Sequence, residues 1–149
     1  MNHKGMNYKQ RKLLELVIFA DKFMESHYGY GNGSTGIKHE LPIRVNYFMK
    51  EFYGAFRLVD NKPHCIDLAA DLFWNGTMDE IKQILSHELV HYACFIQGED
   101  YEDGTEYFER ELRRCGVKSS RELRFCWDVM PRTPAKKTWW LKLIKKGDN

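Results

Sequence analysis

Residues 77–98 constrain the chain more than any other stretch. Thr77-Met78-Asp79-Glu80 is an S/T-x-x-E capping box, in which the threonine hydroxyl and the glutamate carboxylate each satisfy an otherwise orphaned helix amide. Ile81, Ile84, Leu85, Leu89, Tyr92 and Phe95 then recur at helical spacing to about Ile96, and Gly98 supplies a stop. The apolar residues of 80–97 wrap most of the helix circumference. A helix of that kind is stable only when other parts of the fold surround it.

That helix carries His87-Glu88-Leu89-Val90-His91. Positions four apart share a helical face, so both imidazoles can reach one metal ion. Glu88 falls beside the open position of such a metal, where a carboxylate can take a proton from water. These are the requirements of zinc peptidase chemistry, and zinc is the expected cofactor. Catalytic zinc sites use three protein ligands. The H-E-x-x-H-x-x-G-x-x-H extension is absent, since Cys94 stands where it has glycine, and no histidine follows residue 91. Candidates for the third ligand are Asp103, Glu106, Glu109, Cys94 and His64. Asp103-Gly104-Thr105-Glu106 also reads as a D-x-x-E helix start, in which Asp103 would cap a helix instead.

The other segments supply packing partners. Residues 8–26 place Leu13, Leu14, Val17, Ile18 and Phe23 at helical spacing, an amphipathic helix with one face on the core. Four glycines within residues 29–36 make a loop. Gly31 to Gly36 matches G-x-G-x-x-G literally, but it follows a helix and precedes a strand, the reverse of a dinucleotide site. Residues 41–49 alternate as a strand, and 53–68 read as a β-hairpin closed by a four-residue loop, Asp60-Asn61-Lys62-Pro63. A further helix covers 104–115, with Tyr107, Phe108, Leu112 and Cys115 inward. The expected class is α+β: an N-terminal helix, a small sheet with a hairpin, and the helix carrying H-E-x-x-H.

The chain has 149 residues, 43% hydrophobic and 30% charged, one domain's worth for a soluble protein. Collagen-like, disordered and disulfide-scaffold classes are excluded. The longest nearly apolar run, Leu13 to Ala20, contains Glu15 and is far short of the ~20 residues of a membrane helix. A cytoplasmic protein that does not enter membranes, monomeric by default, is expected. Cys65, Cys94, Cys115 and Cys126 contain no C-x-x-C pair and read as reduced thiols.

The net charge of +2 conceals a division: residues 1–78 carry +2, 79–111 carry −8 and 112–149 carry +8. In the last block Lys136, Lys137, Lys142, Lys145 and Lys146 interleave with Trp139 and Trp140. Basic residues among aromatics can follow a phosphate backbone and stack bases; a solvated charged face with core tryptophans is the plainer reading.

The hairpin ending in Ile66-Asp67-Leu68, the run Ile84-Leu85-Ser86-His87-Glu88-Leu89-Val90-His91-Tyr92 and the stretch Tyr101-Glu102-Asp103-Gly104-Thr105-Glu106-Tyr107-Phe108 together resemble the SprT-like metalloproteases. That family includes bacterial SprT-type proteins and eukaryotic Spartan. The resemblance is strongest over residues 53–116 and implies one zincin-like metalloprotease domain across 1–149, with 117–149 as a basic C-terminal region. It implies His87 and His91 as zinc ligands, Glu88 as general base, and peptide or protein substrates. Its third ligand is a histidine four or five residues before a phenylalanine; Asp103 stands five before Phe108. The resemblance therefore implies Asp103 as third ligand, with an anionic carboxylate in place of imidazole, and Glu106 is the alternative. Spartan acts on proteins attached to DNA, which implies a DNA-associated substrate and Lys136, Lys137, Trp139, Lys142, Lys145 and Lys146 as nucleic-acid contacts. The competing expectation is a zinc-containing nucleic-acid-binding module with little or no proteolytic activity.

Overall fold

A computed structural model describes residues 5–29, 36–37 and 40–119. Along the chain these form helix α1 (Tyr8–Tyr28), strands β1 (Ile43–Asn46), β2 (Gly54–Val59) and β3 (Lys62–Ala69), and helices α2 (Ala70–Asn75), α3 (Met78–Ile96) and α4 (Glu106–Arg114). The result is a mixed α+β fold with a three-stranded sheet of order β1-β3-β2. Lys136, Lys137, Trp139, Lys142, Lys145 and Lys146 lie outside the described residues, as does most of the G-x-G-x-x-G segment. Among the described residues, no helix is long and apolar enough to cross a membrane.

α3 sits at the centre, as its apolar circumference requires. Thr77 is its N-cap: the Glu80 amide donates to the threonine hydroxyl at 3.2 Å and the Thr77 amide to the Glu80 carboxylate at 2.8 Å. Every residue from Ile84 to Cys94 is buried or half-buried. α1, capped by a similar box between Asn7 and Gln10, contributes Leu16, Ala20, Phe23 and Met24 to the same core as Ile81, Ile84, Leu85 and Leu89 of α3.

β3 is the middle strand, parallel to β1 and antiparallel to β2. Ile66 and Leu68 enter the core. Cys65 and Asp67 share the opposite face, where the Cys65 thiol donates to the Asp67 carboxylate at 3.4 Å. Asp67 is 1% exposed, yet it has partners on every strand: Arg44 of β1 at 3.2 Å, Asn46 of β1 at 3.0 Å and Arg57 of β2.

The hairpin differs from the sequence expectation. Its loop has two residues rather than four, because Lys62 and Pro63 already belong to β3. Asp60 and Asn61 both have positive φ, 51° and 59°, the primed geometry that matches strand twist and that Asp and Asn tolerate. Pro63 has no amide to donate, and it lies beside a register irregularity at Arg57/Leu58 and outside the stretch paired with β1. Helix α2, six residues directly after β3, was not foreseen. Its N-cap is Ala69, which offers no side-chain cap, and it carries no start signal in sequence.

Candidate metal centre

His87 and His91 are one turn apart on α3, 5% and 8% exposed, with ring centroids 4.8 Å apart. Their Nε2 atoms converge on one carboxylate. Asp103 Oδ1 lies 2.7 Å from His87 Nε2, and Asp103 Oδ2 lies 3.5 Å from His91 Nε2. The His91 Nδ1–H donates to the Tyr101 carbonyl, which fixes the ring and directs Nε2 toward the centre. Phe108 of α4 stacks on His91 at 4.0 Å and 12° and meets His87 edge-on at 5.2 Å. The phenylalanine used as a sequence landmark is thus a wall of the site. Burial pushes the His91 imidazole down, but the Asp103 carboxylate more than reverses this and lifts it to about 9. Burial pushes Asp103 up, and the two imidazoles outweigh it, holding the carboxyl well below the usual carboxylate range.

The segment after α3 delivers Asp103 through a turn. Gly98 (φ 73°) ends the helix, and the Tyr107 hydroxyl donates to Gln97 at 2.9 Å, tying the segment's start to α4. The Thr105 hydroxyl donates to the Glu102 carbonyl at 2.8 Å, and Gly104 takes a φ of 85° that favours glycine. α4 begins after Thr105 as N-cap. Asp103 is therefore not the cap of α4; its carboxylate faces the histidines. Of the other candidates, Glu106 and His64 are exposed. Glu109 Oε1 accepts from the Gly104 amide at 3.1 Å. Cys94 is fully buried, and that burial pushes its thiol up to about 12.

Glu88, 7% exposed, lies between the histidines and the start of β2. Burial pushes its carboxyl up, and the neighbouring histidines offset part of that rise. The approach of β2 to α3 depends on Gly54: a Cβ there would lie 2.6 Å from Ile84 Cγ2 and 3.1 Å from Glu88 Cγ. The Tyr101 carbonyl was missed in the sequence because backbone groups carry no side-chain signature. Gly54 left a signal, a glycine inside a strand pattern, which marks close backbone approach.

Two imidazole nitrogens and a carboxylate converging in a buried polar spot are a donor set that suits a divalent transition metal. Ligating atoms of His87, Glu88 and His91 also lie within 4.8 Å of one another, so this group can hold a metal ion. The SprT-like family model matches residues 20–129. The chain belongs to the SprT-like family. No curated protein and no solved structure gives a significant match. The SprT-like assignment makes the domain metallopeptidase-related and covers α3, the turn carrying Asp103 and α4 in one match.

Proposed function

We propose that this SprT-like domain is a zinc-dependent endopeptidase of zincin-like architecture, acting on protein or peptide substrates in the cytoplasm. His87, His91 and Asp103 hold the ion, and Glu88 is the general base. The observation that carries this reading is the convergence of both Nε2 atoms on the Asp103 carboxylate, with the Glu88 carboxylate buried beside them. Zinc bound there would supply a Lewis acid that polarises the scissile carbonyl and makes water easier to deprotonate.

The chain's own groups do the rest. Glu88 takes a proton from the attacking water as its oxygen bonds to the carbonyl carbon. The same carboxyl then gives that proton to the amide nitrogen as the C–N bond breaks. Burial that raises the Glu88 pKa brings it closer to the operating pH, where proton exchange in both directions is efficient. Tyr101 and Phe108 keep His91 in the orientation that presents Nε2.

Metal analysis and cleavage of an unfolded protein by wild type and Glu88→Ala test this. The variant retains zinc and loses cleavage by about a hundredfold or more; unchanged cleavage sinks the mechanism. The +8 block after residue 111 motivates the second reading, a nucleic-acid-binding module with little or no hydrolysis. It also motivates DNA-associated proteins as substrates. DNA binding that weakens steeply with salt supports either role for that block. Zinc-loaded protein that cleaves nothing favours the module.

A further inference from the structure

Three half-buried aromatic rings form a row beside the centre: Phe56 of β2, Phe95 of α3 and Tyr101 in the segment between α3 and α4. Phe95 meets Phe56 edge-on, with centroids 5.9 Å apart, and meets Tyr101 edge-on at 5.1 Å. Tyr92, 6% exposed, backs Phe56 at 5.9 Å. The two outer residues sit next to the centre through their backbones. Phe56 shares a strand face with Gly54, whose Cβ position lies 3.1 Å from Glu88 Cγ, and Tyr101 accepts through its carbonyl from His91. Phe95 follows His91 by four positions and Glu88 by seven, spacings that keep it on their face of the helix. The row thus lies along α3 one to two turns beyond Glu88 and His91, next to the centre. Its rings keep apolar surface half open to water beside a polar centre. A ligand side chain laid on that surface releases the water and gains edge and face contacts.

We infer that Phe56, Phe95 and Tyr101 form the subsite for a bulky apolar side chain flanking the scissile bond, so that the enzyme selects Phe, Leu, Met or Tyr over Ala or Gly there. The inference rests on the peptidase reading and adds the substrate class. The ring faces discriminate by the apolar area they cover, and for a partly open surface the selection between Phe and Ala is about tenfold.

Cleavage sites in a randomised peptide mixture, read by mass spectrometry with the zinc-loaded full chain, give the first measurement. Large apolar residues are enriched on one side of the cut, and the Phe-to-Ala ratio in kcat/KM collapses in Phe95→Ala and is intermediate in Phe95→Leu, which preserves the packing. A second measurement needs no turnover. The Glu88→Ala protein is titrated by NMR with two capped hexapeptides differing only in Phe or Ala at one central position. The Phe peptide binds about tenfold more tightly and shifts the Phe56, Phe95 and Tyr101 ring signals; Phe95→Ala removes the difference. Equal binding of the two peptides, or a ratio that Phe95→Ala leaves unchanged, overturns the subsite. Selective binding by a protein that cleaves no peptide overturns the peptidase reading and leaves the subsite standing.

Discussion

At position 54 a hydrogen atom in place of a side chain sets how closely β2 approaches α3. A Cβ there would press on Ile84 and come within 3.2 Å of Glu88 Oε1, so either the strand or the carboxylate has to move. Gly54→Ala is expected to lower turnover at least tenfold, because the added Cβ displaces the Glu88 carboxylate. Zinc content should change little, since the added Cβ meets Ile84 and Glu88 rather than His87, His91 or Asp103. Turnover at the wild-type level contradicts the positioning role of β2. Asp103 shows the limit of a single-residue reading. The same aspartate fitted a helix cap and a metal ligand; Thr105 takes the cap and Gly104 turns the chain, leaving the carboxylate toward the histidines. Neither is visible at residue 103 alone.

Elements with a local start and stop were legible in the sequence. α3 has a capping box at Thr77 and a glycine stop, and both appear where they were expected. α2 has neither, and it forms because Leu72 and Phe73 fill the core after β3 ends. The hairpin loop came out two residues too long, because Pro63 looked like turn chemistry although the bulge beside it lets a proline sit in the strand. Asp67 joins the three strands from the middle of the sheet. Burial pushes its carboxyl up, but hydrogen bonds from Asn46, Arg57 and Arg44 outweigh this and hold it below the usual carboxylate range. Its stabilisation is therefore complete above the unfolded value near ~4 and is lost as the pH falls through the lower folded value. Asp67→Asn is expected to cost about 2 kcal/mol at pH 7 by urea denaturation, with the gap to wild type closing on acidification below pH ~4. A gap that stays constant across that range refutes the assignment.

For the whole molecule, the near-neutral total misdescribes the surface: the segment holding the site carries −8 and the chain beyond residue 111 carries +8. A negative region around α3 and the following turn raises the local concentration of cations before any ligand bond forms. The placement of the histidine pair on one face was legible because four-residue spacing on a capped helix fixes its geometry. Asp103 was reached only through the family resemblance, because it arrives through a turn whose direction depends on packing between α3 and α4. Zinc K-edge absorption on the zinc-loaded full chain reads the proposed ligand set, two imidazoles and the Asp103 carboxylate. Imidazole shells and oxygen at about 2.0–2.2 Å with no sulfur are expected, the carboxylate contribution disappearing in Asp103→Ala. A sulfur shell near about 2.3 Å, or a spectrum that Asp103→Ala leaves unchanged, would contradict it.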